Sequence, residues 1–207
     1  MDSSERAPTL RCRNGEKAPL PFSHAEYARR LAGLREVMAA RGVPAVLLTS
    51  MAAVAYYTGF LYCGFGRAYG CVVTQDACTT ISANIDGGQP WRRSIGDTLV
   101  YTDWRRDNFW RAVHELVGAS PRLGVEADHL TLAQRDTLTG VLGARELIDV
   151  APALMAQRMV KSAEEIALIR AGACIADIGG AAVKEAIRPR VRENDVAIAG
   201  RDAMERE

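Results

Sequence analysis

Lysine is nearly missing from this chain: Lys17, Lys161 and Lys184 stand against 23 arginines. Its cationic sites are therefore mostly planar forks suited to carboxylates rather than compact point charges. Histidine is as scarce, with only His24, His114 and His129. No H-E-x-x-H, G-x-S-x-G or P-loop pattern occurs, and no general base with an orienting partner stands out. The five cysteines, Cys12, Cys63, Cys71, Cys78 and Cys174, form an odd set without Cys-x-x-Cys. That argues against a disulfide framework and a zinc ribbon, and leaves reduced thiols in the cytoplasm as the expectation. A charge surplus is lacking too: 26 basic and 25 acidic residues leave +1, too little for the broad positive field that nucleic acid selects. The start, Met1-Asp2-Ser3-Ser4-Glu5, is acidic where a signal peptide is basic, and no apolar stretch follows it, so no signal peptide is expected.

What remains is a globular composition, 48% hydrophobic and 25% charged over 207 residues, enough to bury about 70% of the unfolded surface. One charge-free run, between Arg41 and Arg67, is long enough to cross a bilayer on length alone. Pro44, Thr49, Ser50, Thr58, Gly59 and Gly64 interrupt it. Ala45-Val46-Leu47-Leu48-Thr49 followed by small residues reads instead as a buried strand feeding a loop, so no membrane partner is expected.

Residues 1–22 read as an arm over the surface. Ser23-His24-Ala25-Glu26 is a capping box, Tyr27, Leu31, Leu34 and Met38 form one buried helical face, and Gly42 before Val43-Pro44 closes the helix. Strands are expected near 45–49, 69–74, 79–83, 98–101, 123–126 and 146–149, with helices near 106–117 and 131–142. This alternation predicts an α/β domain over residues 1–160, a mixed β-sheet with flanking helices. Ser162-Ala163-Glu164-Glu165 is a second capping box opening a helix to about Ile187. Its stripe is Ile166, Ile169, Ala173, Ala176 and Gly180, and Gly172, Gly179 and Gly180 are costly unless something packs close. A last helix starts near Glu193, with Val196, Ala199 and Ala203 on one side. Two such helices cannot bury their faces on each other alone, so residues 161–207 read as the truncated start of a second domain.

Several clusters carry chemistry. Glu126, Asp128 and His129 have the types for a cation site, though a solvated acidic turn gives the same letters. Gly64-Phe65-Gly66-Arg67-Ala68-Tyr69-Gly70 has its third glycine one position late for a dinucleotide fingerprint. It sets an arginine between glycines beside Phe65 and Tyr69, suited to a small carboxylate or simply solvated in a turn. In Asn84 to Arg93, Trp91 and two arginines read as an anion site, an interface seal or, more simply, a hairpin connection with a buried tryptophan. Tyr101 to Asn108 repeats the mix of aromatics, arginines and acids, and structural pairing is the simpler role there.

Arg11 to Lys17, Tyr56-Tyr57 through Phe65-Gly66-Arg67, Ile81 to Arg93, Tyr101-Thr102-Asp103-Trp104, Arg158 to Glu165 and Ile175 to Val183 together resemble the creatinase (creatine amidinohydrolase) family. The Lys161-Ser162-Ala163-Glu164-Glu165 opening is shared with prolidase and aminopeptidase P relatives, whereas Asp86 to Arg93 is similar to creatinases in particular. The resemblance implies a creatinase-type N-terminal domain followed by the first two helices of an incomplete pita-bread domain, in a homodimer. It implies hydrolysis of creatine to sarcosine and urea without a metal or other cofactor, by a histidine in a catalytic region this chain lacks. No catalytic residue is therefore assigned, and the chain is expected to be inactive alone. Phe65 and Arg67 match the substrate-binding positions that reach into the partner subunit's site, Arg67 meeting the creatine carboxylate. Gly64 and Ala68 depart from bulkier family residues. The other readings are an inactive dimerisation or ligand-binding module, and the N-terminal domain of a proline-peptidase relative.

Overall fold

The computed structural model describes residues 7–62, 66–105, 107–118, 120–143 and 146–207. The chain divides into two compact units, Met1–Met159 and Val160–Glu207. In the first, the order is β1 (Thr9–Leu10), α1 (His24–Arg41), β2 (Ala45–Leu48), α2 (Met51–Thr58), β3 (Gly70–Thr74), β4 (Cys78–Ala83), α3 (Gln89–Arg93), β5 (Asp97–Tyr101), α4 (Asn108–Val117), β6 (Arg122–Val125), α5 (Leu132–Leu142), β7 (Glu146–Asp149) and α6 (Ala151–Met159). The strands form one sheet in the order β1-β5-β4-β3-β2-β6-β7, the mixed α/β architecture expected. Pairings β4–β5, β2–β6 and β6–β7 are parallel, and β1–β5, β2–β3 and β3–β4 antiparallel. Both α2 and α4 pack on β3 and β4, so helices cover the sheet on both sides. Accordingly β2 is buried at every position.

The charge-free run holds the buried strand expected, β2, followed by the eight-residue α2, and two sequence expectations change. Thr49-Ser50 is not the start of a loop, because the Ser50 hydroxyl accepts from the Ala53 amide and opens a helix. Residues 84–93 are not a hairpin connection: β4 and β5 are parallel, so the chain must cross back, and a 3-10 turn at Asn84–Asp86 followed by α3 carries it. The hairpin lies between β3 and β4 instead.

The arm is strapped down rather than merely laid over the surface. Arg13 grips Asp97 through two nitrogens, at 2.9 and 2.6 Å, and Arg11 adds a third contact at 2.8 Å. The Lys17 ammonium donates to the Ser94 and Gly96 carbonyls and lies 3.8 Å over the Trp91 ring, whose Nε1 donates to Gly15. Trp91 thus seals the arm to α3. Cys12, Cys71, Cys78 and Cys174 are free thiols, and Cys63 lies outside the described residues.

Helix α1 has the predicted Ser23 cap and a left-handed Gly42 closure, with Tyr27, Leu34 and Met38 at 1% exposure or less. Its Glu26 has a further use. Arg29 chelates the carboxylate at 2.8 and 2.9 Å and Arg30 donates to it at 2.7 Å. Arg30 is 1% exposed. Its guanidinium lies 4.1 Å from the Phe22 ring centre and 4.2 Å from that of Tyr56, and donates to the Tyr56 carbonyl at 2.9 Å. One buried cation therefore joins arm, α1 and α2. The Arg30 carbonyl accepts from Gln157, whose amide oxygen accepts from Tyr57, adding α6.

The second unit is a helical hairpin, α7 (Ala163–Ala186) and α8 (Glu193–Glu205). The Ser162/Glu165 capping box is complete. Close packing explains Gly179, since a Cβ there would lie 2.6 Å from Met204 Cγ, but Gly172 and Gly180 face open space. The seam with α8 runs through Gly179 and Val183, and leaves Ile166 and Ile169 of the expected stripe 39% and 55% exposed. By length and composition alone α7 could also cross a membrane.

The arginine pair holds the Glu26 carboxyl far down, at about 2 against an ordinary 4.5, despite the opposing effect of burial. A carboxyl depressed on folding stabilises fully above its unfolded value, so this contribution is expected to fade as pH falls from about 4.5 towards 2. Arg30→Ala is expected to cost about 3–5 kcal/mol, because it strips a buried carboxylate of one partner and empties an aromatic slot. Urea unfolding at pH 7 measures this, with Arg29→Ala, on the exposed edge, the milder comparison.

Candidate functional site

Helix α2 ends at a left-handed Gly59, and the chain then runs through Phe60 to Tyr69 before entering β3. Both ends of this loop are pinned. The Tyr62 hydroxyl donates to the Thr49 carbonyl at 2.7 Å, and its ring stacks on Tyr69 at 4.7 Å and 14°. Phe60 packs beside both rings, and the Tyr69 hydroxyl donates to the Asp86 carboxylate. Burial and that carboxylate raise the Tyr69 hydroxyl's pKa, keeping it a neutral donor. Phe65 lies outside the described residues.

Gly66 turns the chain in the left-handed region, at φ +68°, with open space where a side chain would be. Arg67 follows, 46% exposed, its Nε 3.4 Å from Asp103 Oδ1 in the turn after β5. Gly66, Arg67, Ala68, Tyr101, Asp103 and Arg105 line a hollow of about 160 Å³. Tyr101 is buried, and desolvation with the nearby Asp103 charge pushes its hydroxyl up to about 12, so it too stays neutral. Two guanidinium groups against one carboxylate leave the hollow cationic. Its size and charge suit the carboxylate end of a small molecule.

The sequence singles out Arg67 but reads Tyr101, Asp103 and Arg105 as structural pairing. Part of that holds, since Asn108 donates to the Thr102 carbonyl and Arg111 pairs with Asp107. Only the parallel β4–β5 pairing, continued through β3, brings the turn after β5 beside the loop before β3, and no local pattern encodes that meeting.

Of the two readings of Glu126, Asp128 and His129, the solvated turn fails at Glu126, which is buried, and the cation site finds no support. Glu126, Asp128 and His129 share the lining of a hollow of about 180 Å³, but the Glu126 carboxylate is taken up by the start of α2, accepting from the amides of Thr49 and Ser50 at 2.7 and 2.9 Å and from the Ser50 hydroxyl at 2.5 Å. His129 meets the Thr49 hydroxyl at 2.9 Å through Nδ1. Among the described residues no three His, Cys, Asp or Glu side chains are grouped to hold a metal ion. Glu126 serves as a remote cap, its charge matched to a helix N-terminus. Another hollow, about 420 Å³, lies between the arm and the start of α1, but the Lys17 ammonium beside it is already committed to two carbonyls.

The Creatinase/Prolidase N-terminal domain family matches residues 30–160. The chain belongs to this family. It is 53% identical over 197 residues to a creatinase of Bacillus sp., covering 93% of this chain and 48% of that one. Among solved structures, prolidase from Pyrococcus horikoshii is similar with a TM-score of 0.71 at 21% identity, over 86% of this chain and 48% of the prolidase. The N-terminal domain of an X-Pro dipeptidase from Streptococcus pyogenes is similar at 0.55 and 17%, over 62% of this chain and 98% of that domain. At such identities the structures speak for the fold alone. The chain spans about half the length of the curated relatives it matches.

Removing the remote cap tests its role. Glu126→Ala is expected to destabilise the domain by about 1–3 kcal/mol, because the Thr49 and Ser50 amides lose a charged acceptor in a buried setting. Denaturant unfolding reads the loss, and an unchanged midpoint would contradict it.

Proposed function

We propose that this chain is the small-domain part of a creatinase-like amidinohydrolase, and that its contribution to the reaction is to hold the substrate's carboxylate. The supporting observation is Arg67, a half-exposed guanidinium at the mouth of a cationic hollow, in a chain 53% identical to a creatinase. In the reaction, creatine and water give sarcosine and urea, and the carboxylate is the one anionic handle that a fork can orient while the guanidino carbon is attacked. Arg67, with Phe65 as an apolar wall, reaches into the active site of a partner subunit in a homodimer. Leu61 and Ile85, 66% and 72% exposed beside the Tyr62–Tyr69–Asp86 connection, provide apolar surface for such a neighbour. Residues 161–207 form the opening of the pita-bread catalytic domain, whose remainder supplies the proton-transferring histidine and the groups that hold the guanidinium. The setting is the cytoplasm.

A proline-peptidase reading has the prolidase-like fold in its favour, but at 21% identity that fold carries no substrate. The greater identity to a creatinase over almost the whole chain favours creatine.

Two measurements decide this. The 207-residue chain by itself is expected to release no urea from creatine, and measurable turnover would refute its role as a carboxylate-holding part. In a catalytically complete protein carrying this domain, Arg67→Ala is expected to cost about 2–5 kcal/mol in kcat/KM for creatine once the partner buries the contact. An unchanged kcat/KM would remove Arg67 from the site.

A further inference from the structure

We infer that Asp103 is the positioning residue of Arg67, holding one edge of the guanidinium so that the rest stays presented to an incoming carboxylate. The inference deepens the carboxylate-binding reading and rests on it for its purpose, though the Asp103–Arg67 pairing stands on geometry alone.

Arg67 needs an external guide. The residue before it is a glycine in the left-handed region with open space around it, so neither backbone bulk nor a packed neighbour there sets the side chain's direction. Asp103 is its ion-pair partner among the described residues, a charge contact whose nearest approach is 3.4 Å, at Nε. An arginine has five N–H donors in one plane. A carboxylate beside Nε leaves the terminal nitrogens available to a second carboxylate, so Asp103 and a ligand share the guanidinium rather than compete for it.

Asp103 is well placed to act as a fixed post. It follows Thr102, whose amide donates to the Pro8 carbonyl at 2.8 Å and whose hydroxyl donates to Ala7 at 2.8 Å. Asn108, fully buried, donates to the Thr102 carbonyl at 2.8 Å, and β1 pairs with the end of β5 through Thr9↔Tyr101 and Leu10↔Val100. The arm and α4 therefore hold the turn, and the turn holds the arginine. Arg105 across the hollow keeps the net charge positive despite the Asp103 carboxylate, so an anion is still attracted.

The test uses the 15N-labelled 207-residue chain and follows the Arg67 Nε–Hε signal by NMR, with sodium acetate as the carboxylate probe and sodium chloride as the ionic control. In the wild-type chain, the Arg67 Nε–Hε bond is expected to show restricted motion in its heteronuclear NOE, and acetate, but not chloride, to shift the signal saturably. Asp103→Asn, with backbone amide signals otherwise in place, is expected to lower that NOE and weaken acetate binding by about two- to fivefold, the worth of a half-exposed ion pair. Asp103→Glu is expected to restore part of both. An unchanged Arg67 NOE in Asp103→Asn would overturn the positioning role, as would tighter acetate binding, which would make Asp103 a competitor. If acetate fails to shift Arg67 while Asp103→Asn still lowers the NOE, the carboxylate-binding reading fails and the positioning of Arg67 by Asp103 stands.

Discussion

Helix α2 is completed at both ends by charges it does not own. The run from Gly42 to Gly66 holds no Asp, Glu, His, Lys or Arg, yet a helix exposes amides at its start and carbonyls at its end, and buried ends need partners. Glu126 reaches from the end of β6 to the opening amides, and Arg30 reaches from α1 to the Tyr56 carbonyl in the last turn. An anion at the positive end and a cation at the negative end fix an eight-residue segment that is too short to be stable alone. Everything that follows along the chain, including the Tyr62–Tyr69 stack and Arg67, hangs from the end of that helix.

The arm plays a comparable role on the opposite side of the hollow. Through β1 and the Thr102 contacts it steadies the turn that carries Asp103, and through Lys17, Trp91 and the arginines on Asp97 it clamps the crossover between β4 and β5. The abundance of arginine thus has two uses. Arg11, Arg13, Arg29 and Arg30 are spent on carboxylates of their own chain, the first two tying the arm to Asp97 and the last two gripping Glu26 within α1. Arg67 is held more loosely, its nearest approach to Asp103 being 3.4 Å against 2.6–2.8 Å for those four, which leaves it freer to meet another carboxylate.

Much of the fold was legible. Capping residues, glycine closures and apolar spacing are local, so α1, α4, α5, α7, α8 and the six longer strands fall close to their expected places. Elements lacking such signals were missed. α2 is apolar on nearly every side and shows no amphipathic period, and α6 is short and begins with Ala151-Pro152, where an end of β7 reads as well as a helix start. β1 has two residues, fewer than any alternation can reveal. The hairpin expected at 84–93 failed because glycine and proline announce a change of direction and not the strand that follows; parallel or antiparallel return depends on which neighbour the next strand finds.

At the site, the letters alone singled out Arg67 and Phe65 through a family resemblance, and composition independently made a carboxylate the natural partner for so many forked cations. The same letters left Glu126 between a ligand set and a solvated turn, and it is neither, being buried against the start of α2 by a contact with Thr49 and Ser50 that no local pattern announces. The partnership of Arg67 with Asp103 belongs wholly to the tertiary structure. Residue types, caps and periods are properties of a few consecutive positions and are determined by the sequence alone; which two charges meet across 36 positions is decided only when the sheet orders its strands, since a contact of that kind depends on the path of all the chain in between.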